Sequence, residues 1–268
     1  MSWLCRYLEV SRSGFYAWSG RGESARTRAN HALVSIMRDV HRETNRAYGS
    51  PRMHQELIAR GQVCGRHRVA RLMRIHGLVA QRRRRYRANA AMAGLYARID
   101  NRLLRRDPAC RTNELWAGDY TYLPTPQGWL YLAVVLDLYS RRVIGWAVSR
   151  QRTAHLTREA LRMAIDQRKP TPGTLFHSDQ GIEYAAYSFQ SLLTEHKLEA
   201  SMSRRGNCYD NAHLESFFSN LKLEMGQDFT SVTDAVRQIR DYLHFYNNIR
   251  RHSRLNFHSP IEYETFNF

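Results

Sequence analysis

Three carboxylates, those of Asp119, Asp179 and Glu215, stand at positions where an acid is unexpected or is well placed to bind a cation. Asp119 lies in the middle of a strand-like apolar segment, where aspartate has low β-propensity. Asp179 follows a short strand-like segment, and open α/β sheets usually place their ligands at the carboxyl ends of strands. Because carboxylates are the oxygen ligands that Mg²⁺ prefers, these acids predict phosphodiester chemistry supported by two divalent cations.

Glu215 falls in a segment of helical periodicity that begins near Asn211 and is separated from Asp179 by 35 residues. The apolar residues of this segment form one stripe: Leu214, Phe217, Phe218, Leu221 and Met225. At about 100° per residue, Asn211, Glu215 and Lys222 lie within about 40° of one another beside that stripe. The pattern predicts that Glu215 faces the two aspartates, with Lys222 on the same face two turns further on.

Each acid alone has a simpler structural interpretation: Asp119 as a hydrogen-bonded core residue, Asp179 as a turn residue and Glu215 as an exposed helix residue. Their order along the chain, which is strand, strand end and helix, favours a shared site. Asp137, on the next strand, competes as a metal ligand but is interpreted as a turn cap near Ser140.

Four other residue types near these acids each have a preferred interpretation. Glu183 is interpreted as a bystander four residues after Asp179. His177 and Asn211 are predicted to orient the ligands from behind, as residues next to metal ligands commonly do. The tryptophans are predicted to lie in the core rather than to stack on bases, and they are Trp116, Trp129 and Trp146.

The elements that would position these acids have the pattern of an α/β fold. Strand-like segments at 115–123, 129–137 and 142–149 are joined by short connections, which is typical of an antiparallel meander. Helices and strands then alternate: helix 155–168, strand 174–177, helix 187–196, strand 198–202, and helices 211–225 and 233–248. This order predicts a mixed five-stranded sheet with flanking helices.

The positive charge is confined to the first part of the chain. Residues 1–112 hold 24 arginines and 7 acids, which accounts for the whole net charge of +17, whereas residues 113–268 hold 17 basic and 17 acidic residues. A basic segment before a neutral one predicts a polyanion-binding module joined to a domain with another task. A ribosomal or general RNA-binding protein is the alternative that charge alone leaves open, since phosphate contacts carry no information on the reaction.

The basic part has three predicted regions: a DNA-binding-like segment at 1–29, a small all-α helix-turn-helix domain at 30–81 and a basic linker at 82–112. The last helix of that domain carries Arg66, Arg68, Arg71 and Arg74 on its outer surface, and the linker opens with Arg82, Arg83, Arg84 and Arg85. These arginines are predicted to contact DNA phosphates. A helical bundle with a solvated basic face is the alternative. Arg250 and Arg251 are predicted as further phosphate contacts, with a merely solubilising role as the alternative.

Several motifs together carry a family resemblance. They are Trp116-x-x-Asp119-x-Thr121, Asp137-x-x-Ser140-Arg, His177-Ser-Asp-x-Gly181, Asn207-Cys-Tyr-Asp-Asn211-Ala-x-x-Glu215 and Tyr246-Asn-x-x-Arg250-x-His252. In these motifs residues 30–268 resemble insertion-sequence transposases with a retroviral-integrase-type core, of the family known as IS three. The resemblance is to the product of the downstream reading frame, because the chain has no heptad pattern long enough for a coiled coil.

The resemblance implies a ribonuclease-H-like fold and a triad of Asp119, Asp179 and Glu215 that holds two Mg²⁺ or Mn²⁺ ions. It implies cleavage at the ends of an element and strand transfer by a 3′-hydroxyl, with Lys222 contacting DNA near those ends. The implied partners are double-stranded DNA at the element ends and target, further copies of the chain in at least a dimer, and the product of the upstream frame. No structural zinc is expected.

Two other functions have some support in the sequence. A tyrosine recombinase is suggested by His155 and Arg158 followed by Tyr184 or Tyr187, but no further catalytic arginine lies in a suitable context. A non-enzymatic DNA-binding regulator would need only residues 1–112 and leaves the three acids unexplained.

No apolar run approaches the roughly 20 residues that span a bilayer, and no signal-peptide pattern is present. A cytoplasmic, nucleoid-associated protein without a membrane partner is therefore expected. The scattered cysteines are interpreted as reduced, and they are Cys5, Cys64, Cys110 and Cys208.

Overall fold

The computed structural model describes residues 2–81, 99–204 and 211–266. The chain divides into two compact units, Met1–Ala80 and Gln81–Phe268. Among the described residues, none of the helices combines the length and apolarity needed to cross a bilayer.

The first unit is all-α in its described residues. Its helices are α1 (Ser2–Tyr7), α2 (Arg12–Ser19), α3 (Ala25–Glu43), α4 (Ser50–Ala59) and α5 (Arg66–Ile75). Apolar residues of α3, α4 and α5 pack together in one buried cluster. That cluster includes Leu33, Met37, Val40, Met53, Leu57, Val69, Leu72 and Met73.

The N-terminal boundary of the predicted helix-turn-helix domain disagrees with the limits of the helices. Helix α3 begins at Ala25, after Ser24 caps it by accepting a hydrogen bond from the Thr27 N–H at 3.1 Å. The boundary placed between residues 29 and 30 therefore falls inside a helix. Helix α2 contributes no buried residue.

The second unit contains the mixed five-stranded sheet that the sequence predicts. Its strands are β1 (Leu115–Thr125), β2 (Gly128–Asp137), β3 (Val143–Ser149), β4 (Leu175–Ser178) and β5 (Glu199–Met202). The sheet order is β3-β2-β1-β4-β5. The pairs β1–β2 and β2–β3 are antiparallel, whereas β4 is parallel to both β1 and β5.

Helices cover both faces of this sheet. They are α6 (Ala154–Arg168), α7 (Ile182–Ala185), α8 (Tyr187–Glu195), α9 (Ala212–Met225), α10 (Val232–Asn248) and α11 (Pro260–Phe266). Apolar residues of α9 and α10 form one core with one face of the sheet, and those of α6 and α8 form a second core with the other face. Successive residues of a strand point to opposite faces, so β1, β2, β3 and β4 each supply both cores, whereas the apolar residues of β5 pack in the second.

Gly145 permits the close approach of α6 to β3. A Cβ atom at this position would lie 2.1 Å from the backbone oxygen of Ala160 and 2.9 Å from the Ala164 Cβ. Any side chain would therefore push the helix away from the sheet. After Arg168 the chain leaves the helix through Lys169 in a left-handed conformation, with φ of 45°, just before Pro170.

The predicted basic linker is too long at its C-terminal end. Ile99 packs against the core on the α6 face. The backbone N–H groups of Arg102 and Leu103 donate to Ser201 Oγ at 3.0 and 3.2 Å. Arg102 and Arg106 also pair with Glu199. Residues 99–112 therefore pack on the sheet unit.

Helix α11 is held to the sheet by a polar cluster around Glu264. Its carboxylate accepts hydrogen bonds from Ser140 Oγ at 2.7 Å, from Arg142 at 2.6 Å and from Arg168. Burial opposes ionisation, but these three donors outweigh it and lower the pKa of Glu264. The ionised carboxylate thus connects the β2–β3 turn, α6 and the C-terminal helix.

Candidate active site

Asp119 and Asp179 occupy equivalent positions on two parallel strands. The pairing of β1 with β4 ends at the pair Gly118 and Ser178. Each aspartate is the next residue of its strand segment, and neighbouring strands lie about 4.8 Å apart. The two carboxylates therefore emerge side by side at the point where the sheet opens.

Gly118 is required at this opening because the Phe176 ring lies against it. A Cβ atom at position 118 would be 2.3 Å from the Phe176 Cζ. The absence of a side chain lets β1 and β4 pair up to the last residue before the aspartates. The packing of an apolar ring thus sets the position of the two acids.

The backbone orients both aspartates. The Tyr120 N–H donates to Asp119 Oδ1 at 2.7 Å, and the Gly181 N–H donates to Asp179 Oδ1 at 2.9 Å. Both side chains are partly buried. Each carboxylate therefore has one oxygen fixed by an amide.

Burial is the main reason that the pKa of Asp119 lies well above its usual range, and the charge of Asp179 is the next largest. The Glu215 charge also raises this pKa, while the Tyr120 N–H and the Lys222 ammonium oppose the shift. Burial likewise raises the pKa of Asp179. Negative charge accumulates here in a partly desolvated place, which favours protons or cations.

Glu215 lies in the first turn of α9, whose apolar stripe is buried as predicted. Its own side chain is exposed, beside Leu214 and Phe217 that anchor the helix to the β1 face. Asp119 is on this same face, two residues after Ala117. The helix thus places Glu215 close enough for its charge to act on Asp119.

The three carboxylates are not already gathered into a ligand set. Within residues 2–81, 99–204 and 211–266, no group of three or more His, Cys, Asp or Glu side chains is close enough to hold a metal ion. The acids nevertheless fit a divalent cation in donor chemistry and charge. Ion binding would require the exposed Glu215 side chain to turn towards the two aspartates.

Lys222 lies on the predicted face of α9 and reaches β1. Its ammonium nitrogen is 4.8 Å from the centre of the Tyr122 ring. Burial lowers the pKa of Lys222, while the Asp119 charge raises it. Tyr122 in turn packs edge-on against Trp129, with ring centres 5.1 Å apart. Trp129 is 53% exposed, so its assignment to the core was wrong.

Sequence reasoning underrated Glu183 and missed Arg152. Glu183 is buried, and Arg152 Nε lies 2.8 Å from its Oε1. The Glu183 charge raises the pKa of Asp179, and the Arg152 charge lowers it. The Arg152 guanidinium also lies over the Tyr120 ring, 5.9 Å from its centre. The only sequence signal was an acid one helical turn beyond Asp179.

Both residues predicted to support the ligands are buried. The ring nitrogens of His177 lie 2.9 Å from Ser201 Oγ and 3.0 Å from Ser203 Oγ, so this side chain links β4 to the strand at the sheet edge. Asn211 is the residue before α9, and its Oδ1 has no hydrogen-bond partner within the described part of the chain. Asp137 is fully buried and accepts backbone hydrogen bonds from Asn113 and Tyr139, as a turn-capping residue does.

The predicted phosphate-binding arginines have different environments. On α5, Arg66, Arg71 and Arg74 are exposed, whereas Arg68 is partly buried and donates to Asn30 Oδ1 at 2.9 Å. The positions of Arg82, Arg83, Arg84 and Arg85 lie outside the described residues.

Arg250 is not the exposed cation that a phosphate contact needs, and that prediction is corrected. It is 1% exposed, and its Nε and Nη2 donate to the Glu224 carboxylate at 2.7 and 2.6 Å. Arg251 is partly buried and donates to the Phe257 carbonyl at 3.1 Å.

Comparison with known proteins agrees with this arrangement. Integrase core domain models match residues 109–208 and 196–260, and an HTH-like domain model matches residues 28–86. Transposase InsF for insertion sequence IS3A of Escherichia coli (strain K12) is 39% identical over 98% of this chain and 93% of its own length. The chain belongs to the IS3 family of insertion-sequence transposases.

A second relative of this transposase is the insertion element IS600 uncharacterized 31 kDa protein of Shigella sonnei, which is 36% identical over 97% of both chains. A chain in the cryo-EM structure of the simian T-cell lymphotropic virus intasome in complex with PP2A regulatory subunit B56 gamma has a similar fold. The TM-score is 0.52 at 14% identity, over 84% of this chain and 73% of that one. The predicted fold class is thereby confirmed.

Proposed function

We propose that this transposase cuts DNA at the ends of its insertion element and joins them to target DNA, with Asp119, Asp179 and Glu215 as its catalytic residues. One observation carries the proposal: Asp119 and Asp179 directly follow the last paired residues of two adjacent parallel strands, and the charge of Glu215 on the covering helix acts on Asp119. Such a concentration of carboxylates serves no purpose in a core, where each buried charge costs stability.

The three carboxylates would hold two Mg²⁺ or Mn²⁺ ions. When bound, a pair of such ions supplies an activated nucleophile and stabilises the leaving oxygen of a phosphodiester. The protein's part is to orient the ligands: the Tyr120 N–H and the Gly181 N–H each fix one oxygen of an aspartate. The second oxygen of each aspartate is then left to face a cation.

The remaining residues of the site would act on DNA. The Lys222 ammonium lies within electrostatic range of Asp119, so a phosphate held by it would be close to the carboxylates. In the first unit, the exposed Arg66, Arg71 and Arg74 would contact phosphates of a DNA groove bound by α5. The basic residues 82–85 and Arg251 remain candidates for further phosphate contacts.

Strand transfer at two element ends requires at least two active sites, so we propose that the chain acts as a dimer or larger assembly on double-stranded DNA. The product of an upstream reading frame is the further proposed partner. A protein that acts on bacterial DNA would work in the cytoplasm at the nucleoid.

A tyrosine recombinase is disfavoured by the environment of its candidate nucleophile. Tyr184 is 2% exposed and packs against Phe176 and Phe189. Burial raises its pKa well above the usual range, which opposes formation of a nucleophilic phenolate. Tyr187 is 89% exposed, next to no group that would activate it among the described residues.

Incubation of the full chain with a labelled duplex carrying the element end tests the proposal. We expect nicking that needs Mg²⁺ or Mn²⁺ and produces a 3′-hydroxyl, followed by joining to a second duplex. A protein–DNA covalent adduct formed in EDTA would instead indicate a recombinase. Binding without any cutting in either metal would indicate the non-enzymatic regulator and refute the proposal.

A further inference from the structure

A basic pocket of about 570 Å³ opens beside the first turn of α9, within the sheet unit. It lies between the 103–109 segment, the start of β1, the β2–β3 turn and the C-terminal segment. Its polar lining residues include Arg106, Asp107, Tyr139, Arg141, His213 and Arg254. None of these residues belongs to the carboxylate site.

Arg141 reaches this pocket from a backbone conformation that arginine rarely adopts. Its φ is 61°, in the left-handed region, where a side chain costs free energy that glycine would avoid. Strain of this kind persists where the side chain itself is needed. The position in the β2–β3 turn therefore favours a function for the guanidinium.

The charges of Arg141 and Arg254 are not balanced by acids in the described part of the chain. Neither arginine has a carboxylate within 4.0 Å in the described ranges of the chain. Burial lowers the pKa of Arg141, and the charge of Arg254 lowers it further. Asp137 is the acid that acts on Arg141, but it already accepts two backbone hydrogen bonds.

Two further charged side chains, those of Arg106 and Asp107, are among the described residues that line the pocket. Arg106 is partly neutralised by Glu199 at 3.0 Å. Asp107 lines the pocket but forms no ion pair with Arg141 or Arg254 in the described structure. Within the described residues, the pocket therefore holds two guanidinium groups that form no ion pair with a carboxylate.

We propose that this pocket binds one phosphate group of the DNA backbone, with Arg141 and Arg254 as the donors. A guanidinium matches the geometry of two phosphate oxygens and remains charged at any relevant pH. His213 lines the same pocket and can add one N–H donor. This inference rests on the proposed function, because the same DNA must reach both the pocket and the three carboxylates.

The strand gives the distance between the two sites. Leu115, which lines the pocket, precedes Asp119 by four residues on β1, which is about 13 Å at 3.3 Å per residue. DNA rises about 3.4 Å per nucleotide of one strand. The bound phosphate should therefore lie about four nucleotides from the phosphodiester that is cut.

A phosphate scan tests this. Element-end duplexes, each with a single neutral methylphosphonate, are bound in EDTA to the full wild-type chain, Arg141→Gln, Arg254→Gln and Arg240→Gln. Arg240 is an exposed arginine on α10 outside the pocket, so its variant matches the loss of charge. For the wild type and Arg240→Gln we expect one position, or two adjacent ones, where the neutral group weakens binding about tenfold. The two pocket variants should bind native DNA about tenfold more weakly and lose sensitivity at that position.

Identical scan profiles in all four proteins would overturn the proposal. Arg141→Gly separates function from folding, because glycine relieves the backbone strain: its melting temperature should not fall although its DNA affinity does. Inorganic phosphate distinguishes the source of the anion. If it raises the wild-type melting temperature at millimolar concentration while the scan stays flat, the pocket binds small phosphates and the DNA contact is refuted. Binding is measured in EDTA, so the outcome of the scan does not depend on whether the protein cleaves DNA. If the protein cleaves DNA but the scan is flat, the phosphate site in the pocket is refuted and the proposed function is not.

Discussion

The ammonium nitrogen of Lys222 lies 4.8 Å from the centre of the Tyr122 ring, and Tyr122 follows Asp119 by three residues on β1. The contact holds a cation near Asp119, and within the described residues no ion pair neutralises it. A half-exposed cation–π contact contributes about 0.5–1 kcal/mol to stability. The contact therefore stabilises the fold only slightly, and we expect Lys222 to act mainly on a DNA phosphate.

Lys222→Ala should weaken binding to element ends and lower strand transfer about tenfold, with Lys222→Arg intermediate, because arginine keeps the charge but changes the hydrogen-bond geometry. Melting temperature should change little. Binding and strand-transfer assays check this, with Arg240→Ala as the control for loss of one exposed charge. Normal strand transfer by Lys222→Ala would show that the lysine only covers Tyr122.

Asp179→Asn should reduce cleavage to less than a tenth of the wild-type rate while DNA binding is retained, because an amide keeps the shape but not the charge that holds a cation. Single-turnover cleavage in Mg²⁺ measures this. The matched control is Asp166→Asn, an exposed acid on α6. Glu183 is unsuitable as a control because it is buried with Arg152. Cleavage by Asp179→Asn above a tenth of the wild-type rate would remove Asp179 from the catalytic set.

The sequence predicts the sheet and the elements that carry Asp119, Asp179 and Glu215 well because both depend on local patterns. The alternation around Asp119 and the stripe around Glu215 are fixed by the period of a strand and of a helix. The strand boundaries accordingly agree with the structure within two residues at nearly every end. The same local logic explains why Asp179 could be placed at a strand end.

The environments of the charged residues could not be predicted in this way. Arg250 looks like one of a solvated basic cluster, but Glu224, 26 residues earlier, buries it. Glu183 looks like an exposed helix residue until Arg152 is placed beside it. Whether a charge is solvated depends on partners that are distant in sequence, and neither spacing nor composition reveals them.

Asp119→Asn should stabilise the fold while abolishing cleavage. Burial and the Asp179 charge raise the pKa of Asp119, so ionisation of this group costs stability. Below the unfolded-state pKa of about 3.9, Asp119 is protonated in both states and its ionisation costs the wild type no stability. As the pH rises from that value through the higher folded-state pKa, the free energy of unfolding of the wild type decreases. The gain from Asn should thus be small near pH 4 and increase towards neutral pH.

Melting curves of both proteins between pH 4 and 8 in EDTA check this, and about 2–4 °C is expected per kcal/mol of stability. Mg²⁺ should raise the melting temperature of the wild type more than that of Asp119→Asn. A variant that is less stable than the wild type at pH 7 would contradict the electrostatic account of the site.

The salt dependence of DNA binding should reside in the first part of the chain. A fragment of residues 99–268 keeps the packed segment around Arg102 and Leu103 but loses the arginine-rich residues before it. Fluorescence anisotropy at 50–300 mM salt should give a much shallower slope of log affinity against log salt for the fragment than for the full chain, since each phosphate contact contributes about 0.9 to the slope. Equal slopes would refute this division.

Replacement by alanine should cost much more stability at Arg250 than at its neighbour Arg251. Arg250→Ala leaves the Glu224 carboxylate buried without its partner, and breaking a buried ion pair in this way typically costs about 3–5 kcal/mol. Arg251→Ala removes a partly buried side chain and should cost much less, while weakening DNA binding if its guanidinium contacts a phosphate. Urea unfolding of both variants measures the two costs.

The double variant Arg250→Met with Glu224→Leu should regain most of the lost stability, because apolar groups of similar volume replace the pair. If Arg250→Ala loses less than about 1 kcal/mol of unfolding free energy and also binds DNA more weakly, Arg250 contacts a phosphate despite its burial.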